Sequence, residues 1–135
     1  MSIHYNINKP IPTRCIDDLK AVFSTNDWPE AEDPRYALYG LRKADFLITA
    51  YDDHKFVGFV RASGDNLWCA NIDAMCIHKD YQCRGIGSTM LIKLLGELET
   101  CQYINVSPNH PSTIPFYEKF GFMKIEEGSL LQIIH

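Results

Sequence analysis

Apolar residues change their period several times along this chain, and each change marks an element. Ile3, Tyr5 and Ile7 alternate with polar neighbours and predict a first strand over residues 3–7. Pro10 and Pro12 stop it, and Thr13 stands where it would cap a helix reaching about Phe23. A second helix begins at Asp33, an N-cap type, followed by Pro34, whose missing N–H costs nothing in a first turn, and it runs to about Arg42. Residues 46–51 and 55–61 are apolar runs separated by Asp52, Asp53 and His54, which predicts a hairpin. Turn residues Ser63, Gly64, Asp65 and Asn66 then introduce a longer strand over 67–78. Gly87, Met90, Leu91, Leu94, Leu95 and Leu98 recur at helical spacing and predict a third helix. A strand at 103–106 follows, then a helix with Ser112 as N-cap, Pro115 in its first turn and Gly121 at its end. Residues 122–126 and 130–134 predict a closing hairpin around Gly128. The order is strand, two helices, three strands, helix, strand, helix and two strands.

The junction between the long strand and the third helix carries the clearest chemistry. Residues 82–88 would present backbone N–H groups at the positive end of a helix, and Gly85 and Gly87 remove side chains that would hold an anion away. A pyrophosphate suits such a turn. A dinucleotide fingerprint would need glycine where Met90 stands, and a P-loop would need Gly-Lys-Ser/Thr where Arg84 precedes the glycine instead. What remains is Gln82-Cys83-Arg84-Gly85-Ile86-Gly87, of the form Gln/Arg-x-x-Gly-x-Gly/Ala. Downstream stands Pro115-Phe116-Tyr117-Glu118-Lys119-Phe120-Gly121-Phe122. These two segments, in this order, resemble the acetyl-CoA motif and the closing segment of the GNAT superfamily of N-acetyltransferases. The resemblance covers nearly the whole chain and is strongest to small single-domain bacterial-type members.

The resemblance implies an α/β, GNAT-like acyl-CoA N-acyltransferase fold, a mixed central sheet flanked by helices. It implies one transferase domain over residues 1–135 that moves an acetyl group from acetyl-CoA, a co-substrate, to a primary amine of a small molecule or protein. Gln82, Cys83, Arg84, Gly85, Ile86, Gly87 and Ser88 would hold the pyrophosphate, with Arg84 adding charge. A main-chain donor near Cys76 or Ile77 would face the thioester carbonyl, where the family's strand splays from its neighbour. Tyr117 would protonate the leaving thiolate, which suits a phenol with pKa about 10. Histone-modifying relatives carry a basic glutamate where Asn71 stands here. Asp73, two residues on and facing the same side, is then the candidate base, directly or through water, or else a carboxylate held by strand or loop amides. An asparagine that helps hold the pantetheine arm is expected seven residues before the tyrosine; His110 occupies that place and Asn109 precedes it. Trp28, Glu30, Glu32 and Asp33 lie in the loop that lines the acceptor site in this fold, although carboxylates beside Asp33-Pro34 also suit a helix N-terminus. The shifted asparagine and absent glutamate keep a second reading open, a non-catalytic acyl-CoA-binding sensor.

Composition adds bounds rather than chemistry. With 135 residues, 46% of them hydrophobic, the chain is long enough for one core. A net charge of -4 without basic clustering argues against nucleic acid as a partner. No run approaches the roughly 20 apolar residues of a membrane span, and the first residues lack a signal-peptide pattern, so a cytoplasmic location is expected. Cys15, Cys69, Cys76, Cys83 and Cys101 never stand in Cys-x-x-Cys spacing, and the histidines are scattered, so neither disulfides nor a metal is expected. A homodimer is an option that such folds allow.

Overall fold

The computed structural model describes residues 1–125, 131 and 133. Its centre is a sheet of five strands in the order β1 (Ile3–Ile7), β2 (Phe46–Asp52), β3 (Lys55–Gly64), β4 (Cys69–Ile77) and β5 (Tyr103–Val106). The first four pair antiparallel, and β5 joins β4 in parallel after a helical crossover. Helices α1 (Ile16–Ser24) and α2 (Pro34–Arg42) pack on one face; α3 (Ile86–Glu97) and the short α4 (Ile114–Glu118) lie on the other. Because both faces are covered, β2 and β3 read as continuous apolar runs rather than alternating ones.

Two apolar clusters result. Val57, Val60, Ala70, Ile72, Met90, Leu91 and Leu94 fill the α3 side, while Leu19, Val22, Phe23, Phe56, Phe59 and Cys76 fill the α1 side. The helical stripe predicted from Met90 to Leu98 is thus the buried face of α3.

Several boundaries differ from the sequence pattern for identifiable reasons. Thr13 does not cap α1; a turn of 3-10 helix (Thr13–Cys15) precedes the helix, and the Thr13 hydroxyl accepts from Arg42 at 3.0 Å. Asp33 does cap α2, its Oδ1 accepting from the Tyr36 amide at 3.2 Å. Residues 67 and 68 fall outside β4 because Asp65 Oδ1 accepts from the amides of Leu67 and Trp68, at 2.9 and 3.0 Å, and curls that backbone into a turn. Ser112 caps nothing; its own amide donates to His110 Nδ1, and α4 begins two residues later. Residues 122–125, 131 and 133 form no strand, and the other residues of the expected closing hairpin lie outside the described residues.

Buried thiols and phenols make the fold sensitive to alkali. Burial, with the Glu30 charge as a second cause, pushes the Cys76 thiol up to about 12. Burial also raises Cys15, Tyr51 and Tyr117. In the unfolded chain a thiol ionises near pH ~8.5 and a phenol near ~10. Above those values the native state holds protons that the unfolded state has released, so stability is full below about pH 8.5 and falls as pH rises toward 12. The melting temperature is therefore expected to be flat near neutrality and to drop steeply above about pH 9, less steeply in Cys76→Ala. Parallel slopes in the two proteins would show that Cys76 does not carry the effect.

Candidate active site

The site is built where β4 parts from β5. Their pairing ends at Ile72 with Val106, but β4 continues to Ile77. Within β4 the register against β3 slips by one residue, since Arg61 faces Ala74 and Ala62 faces Ile72. Asp73 is the unopposed residue of a β-bulge, which bends the strand and opens its far edge.

Strand alternation then decides which backbone groups face the opening. The His78 amide donates to the Val57 carbonyl on β3 at 2.8 Å, so His78 and Cys76 direct their amides to β3, whereas Met75 and Ile77 direct theirs to the open side. Of the two residues expected to offer a donor, Ile77 fits and Cys76 does not. The Cys76 side chain is buried on the α1 side, its thiol donating to the Val22 carbonyl at 3.6 Å. Met75, on the same strand end, takes its place.

The turn into α3 supplies the second element. The amides of residues 83–88 find no acceptor among the described residues; the first helical bond of α3 runs from Thr89 to Gly85, at 3.0 Å. Cys83 and Gly85 adopt left-handed conformations, φ 62° and 82°, which curl the chain tightly where it enters α3. Such conformations are ordinary for glycine and strained for cysteine. Gly87 serves a different purpose. A Cβ there would lie 3.2 Å from Ile77 Cδ1 and 3.6 Å from Phe116, so its absence lets α3, β4 and α4 meet at one point.

Gln82 departs from its expected role. Its amide is spent on Lys79 at 3.3 Å, and its side chain turns away from the amides to the end of β4. Arg84 leans over the Tyr81 ring, 5.7 Å from the centroid, with its guanidinium beside Met1.

Tyr117 reaches the recess from α4. It is buried, edge-on to Phe116 and Phe122 at 5.1 and 5.7 Å, and burial pushes its pKa above the usual phenol value. Its hydroxyl has no hydrogen-bond partner among the described residues, and the tyrosine lines one recess together with Asp73, Met75, Ser107 and Asn109. His110, at the position expected for the pantetheine asparagine, is occupied in turning the chain; its Nδ1 lies 2.8 Å from the Ser112 hydroxyl. Asn109 is left facing the opening.

Asp73 is engaged elsewhere than expected. Arg61 Nη1 donates to its Oδ2 at 2.5 Å and the Ser63 hydroxyl donates to the same oxygen at 3.0 Å. With one oxygen bonded to both side chains, the carboxylate is tied to β3. The acceptor-loop residues are likewise partly committed. Trp28 stacks on Phe23 at 5.8 Å and Asp33 is a helix cap, leaving Glu30 and Glu32 exposed.

A crossover helix whose amide-lined N-terminus faces a splayed parallel strand pair, with a tyrosine opposite, agrees with what comparison with known proteins finds. The model of the Acetyltransferase (GNAT) family matches residues 13–122. The chain belongs to the GNAT acetyltransferase family. An uncharacterized N-acetyltransferase, ycf52, of Pyropia yezoensis is 35% identical over 75 residues, which are 55% of this chain and 43% of that protein. This GNAT chain thus matches less than half the length of that relative. A GNAT-family acetyltransferase of Streptococcus pneumoniae superposes with a TM-score of 0.79 over 98% of both chains at 18% identity, a likeness of fold. AAC(6')-Iy, in complex with the bisubstrate analog CoA-S-monomethyl-acetylneamine, superposes with a TM-score of 0.66 over 98% of this chain and 99% of that one, with 15% identity.

Proposed function

We propose that this GNAT chain is an acetyl-CoA-dependent N-acetyltransferase that acetylates a primary amine of a small molecule or protein, with residues 1–135 acting as one transferase domain. The observation that carries the reading is the run of unpaired amides at 83–88 set beside a recess that Tyr117 lines. Those amides suit two phosphates: they stand at the positive end of a twelve-residue helix, and no side chain stands at Gly85 to fill the space. The open-side amides of Met75 and Ile77 suit an extended chain bearing amides and, at its end, a carbonyl that gains negative charge during transfer.

In this reading Tyr117 gives its phenolic proton to the departing sulfur, and its raised pKa keeps that proton in place through the neutral range. The amine approaches from the α1 and α2 side of β4. Asp73 there acts on Arg61 rather than as the base, and water removes the proton from the incoming ammonium. Asp73→Asn is accordingly expected to keep the acid limb of the rate profile where it is and to lower stability by about 1 kcal/mol or less, the worth of a half-exposed pair. Rate against pH and a thermal melt check this; loss of the acid limb would return the base role to Asp73.

No helix among the described residues is long and apolar enough to cross a membrane, and no group of three His, Cys, Asp or Glu among them could hold a metal ion. The cysteines are free, which suits a reducing cytoplasm. The deciding experiment supplies acetyl-CoA with a panel of polyamines, amino acids, aminoglycosides and N-terminal peptides and follows thiol release. Acceptor-dependent release supports the enzyme. Binding of acetyl-CoA with no release for any amine favours the sensor, and no binding sets the reading aside.

A further inference from the structure

Asn26 lies just past the end of α1, on the acceptor side, and nothing in its sequence neighbourhood marks it. Its side chain nevertheless completes a closed set of hydrogen bonds. Nδ2 donates to the Val22 carbonyl at 2.9 Å and to the Ile77 carbonyl at 2.8 Å, while Oδ1 accepts from Gln82 Nε2 at 2.8 Å. Gln82 Nε2 also donates to the same Ile77 carbonyl at 2.9 Å. Only this orientation of the amide works, because the reverse would press its oxygen against two carbonyl oxygens. Next door, the Thr25 hydroxyl accepts from the Lys79 amide at 3.3 Å.

We infer that Asn26 and Gln82 form a clamp that positions the acetyl-CoA site, an inference that rests on the function proposed above. Ile77 directs both backbone groups to the open side of β4. The clamp saturates the carbonyl and leaves the amide free, so the direction of that amide is set by Asn26 and Gln82. The same bonds fix where the chain leaves the strand. Between Ile77 and the free amides, the backbone is also held by the His78 amide on Val57 at 2.8 Å, the Lys79 amide on Thr25 at 3.3 Å, the Tyr81 hydroxyl on Asp52 at 2.6 Å and single-turn contacts from Tyr81 to His78 and Gln82 to Lys79. Among the described residues, however, the clamp alone ties Gln82, the residue next to those amides, to Ile77. Without the clamp, the amides at 83–88 would lose their fixed distance from the strand edge, and one ligand could no longer meet both at once. The glutamine of the phosphate motif, on this account, serves the cofactor through the strand rather than by touching phosphate. Asn26 is a positioning residue.

Calorimetric titration of the purified chain with acetyl-CoA tests this. Wild type is expected to bind, and Asn26→Ala and Gln82→Ala are each expected to weaken binding by about tenfold, the effect of about one net hydrogen bond. The double variant is expected to be little weaker than either single one, since both remove one device. Asn26→Asp, which keeps the shape but turns an oxygen toward the Ile77 carbonyl, is expected to bind no better than Asn26→Ala. With an acceptor in hand, the KM for acetyl-CoA should rise while kcat at saturation stays within about twofold, as for lost uniform binding. Variants that melt earlier yet bind like wild type would make the clamp merely structural and overturn the inference. Should Asn26→Ala not fold, the exposed Gln82 decides alone: wild-type affinity in Gln82→Ala overturns it. Absence of binding in wild type itself removes the proposed function and this inference with it, an outcome distinct from the others.

Discussion

Gly85→Glu is expected to abolish acetyl-CoA binding in a protein that still folds. A Cβ at Gly85 meets nothing within 4 Å, so the new side chain has room, and its cost to the fold is the left-handed backbone at φ 82°. That cost is about 1–2 kcal/mol. Its carboxylate would stand over the amides of 83–88, within about 4 Å of any phosphate held there. Repulsion at that distance is about 1 kcal/mol per charge pair in bulk water and about 4 kcal/mol near a protein surface. Even the lower figure, summed over two phosphates and added to the blocked amides, predicts a loss of about a hundredfold or more. Gly85→Asn is the control: asparagine tolerates the left-handed region, carries no charge, and should bind within several-fold of wild type. Titration calorimetry beside a thermal melt separates the cases. Wild-type affinity in folded Gly85→Glu would mean that the phosphates bind elsewhere.

Tyr117→Phe is expected to lower kcat by about a hundredfold or more, the usual range for a lost general acid, with the Kd for acetyl-CoA changed less than about threefold. The ring stays in contact with Phe116 and Phe122, so packing is preserved and only the hydroxyl goes. Because burial raises the Tyr117 pKa, its loss of the proton cannot produce an alkaline fall in rate below about pH 10. Steady-state rates in a buffer series, at saturating donor, test both points. An unchanged kcat where chemistry limits turnover would remove Tyr117 from the mechanism.

The parts of this site that side chains encode were legible in the sequence, and the parts that backbone geometry creates were not. Gly85 and Gly87 announced the turn because only missing side chains allow it, and the Leu-rich spacing after them announced the helix that aims it. Tyr117 stood out through its motif. The bulge at Asp73 left no sign, since any residue can be the unopposed one, and with it the exchange of Met75 for Cys76 at the open edge was invisible. Asp73 could be read as a base or as a carboxylate held by nearby amides, but not as the partner of Arg61 and Ser63, which stand on a neighbouring strand ten or more residues away. Gln82 sits inside the phosphate motif, yet the direction of its side chain is set by Asn26, which is 56 positions earlier. The cap residues also overestimated α4: a 3-10 turn takes Pro111–Thr113, and beyond Glu118 the chain closes in three-residue turns that end at Gly121, φ 95°.

The unopposed residue in β4 constrains how this chain can change length over time. Ile72 and Met75 face the same cluster although three positions separate them, because the bulge resets the alternation between them. Deleting one residue in that interval would restore a regular ladder with both halves of the strand on their present faces. Ala70 and Ile72 would stay in the core and Met75 and Ile77 would keep their amides on the open side, but the bend that parts β4 from β5 would be lost. Loops elsewhere can gain or lose residues singly, whereas here the count between Ile72 and Met75 is a fixed quantity. Among descendants of this sequence, a single-residue gap at that place would mark a copy that has kept its fold and given up its ligand.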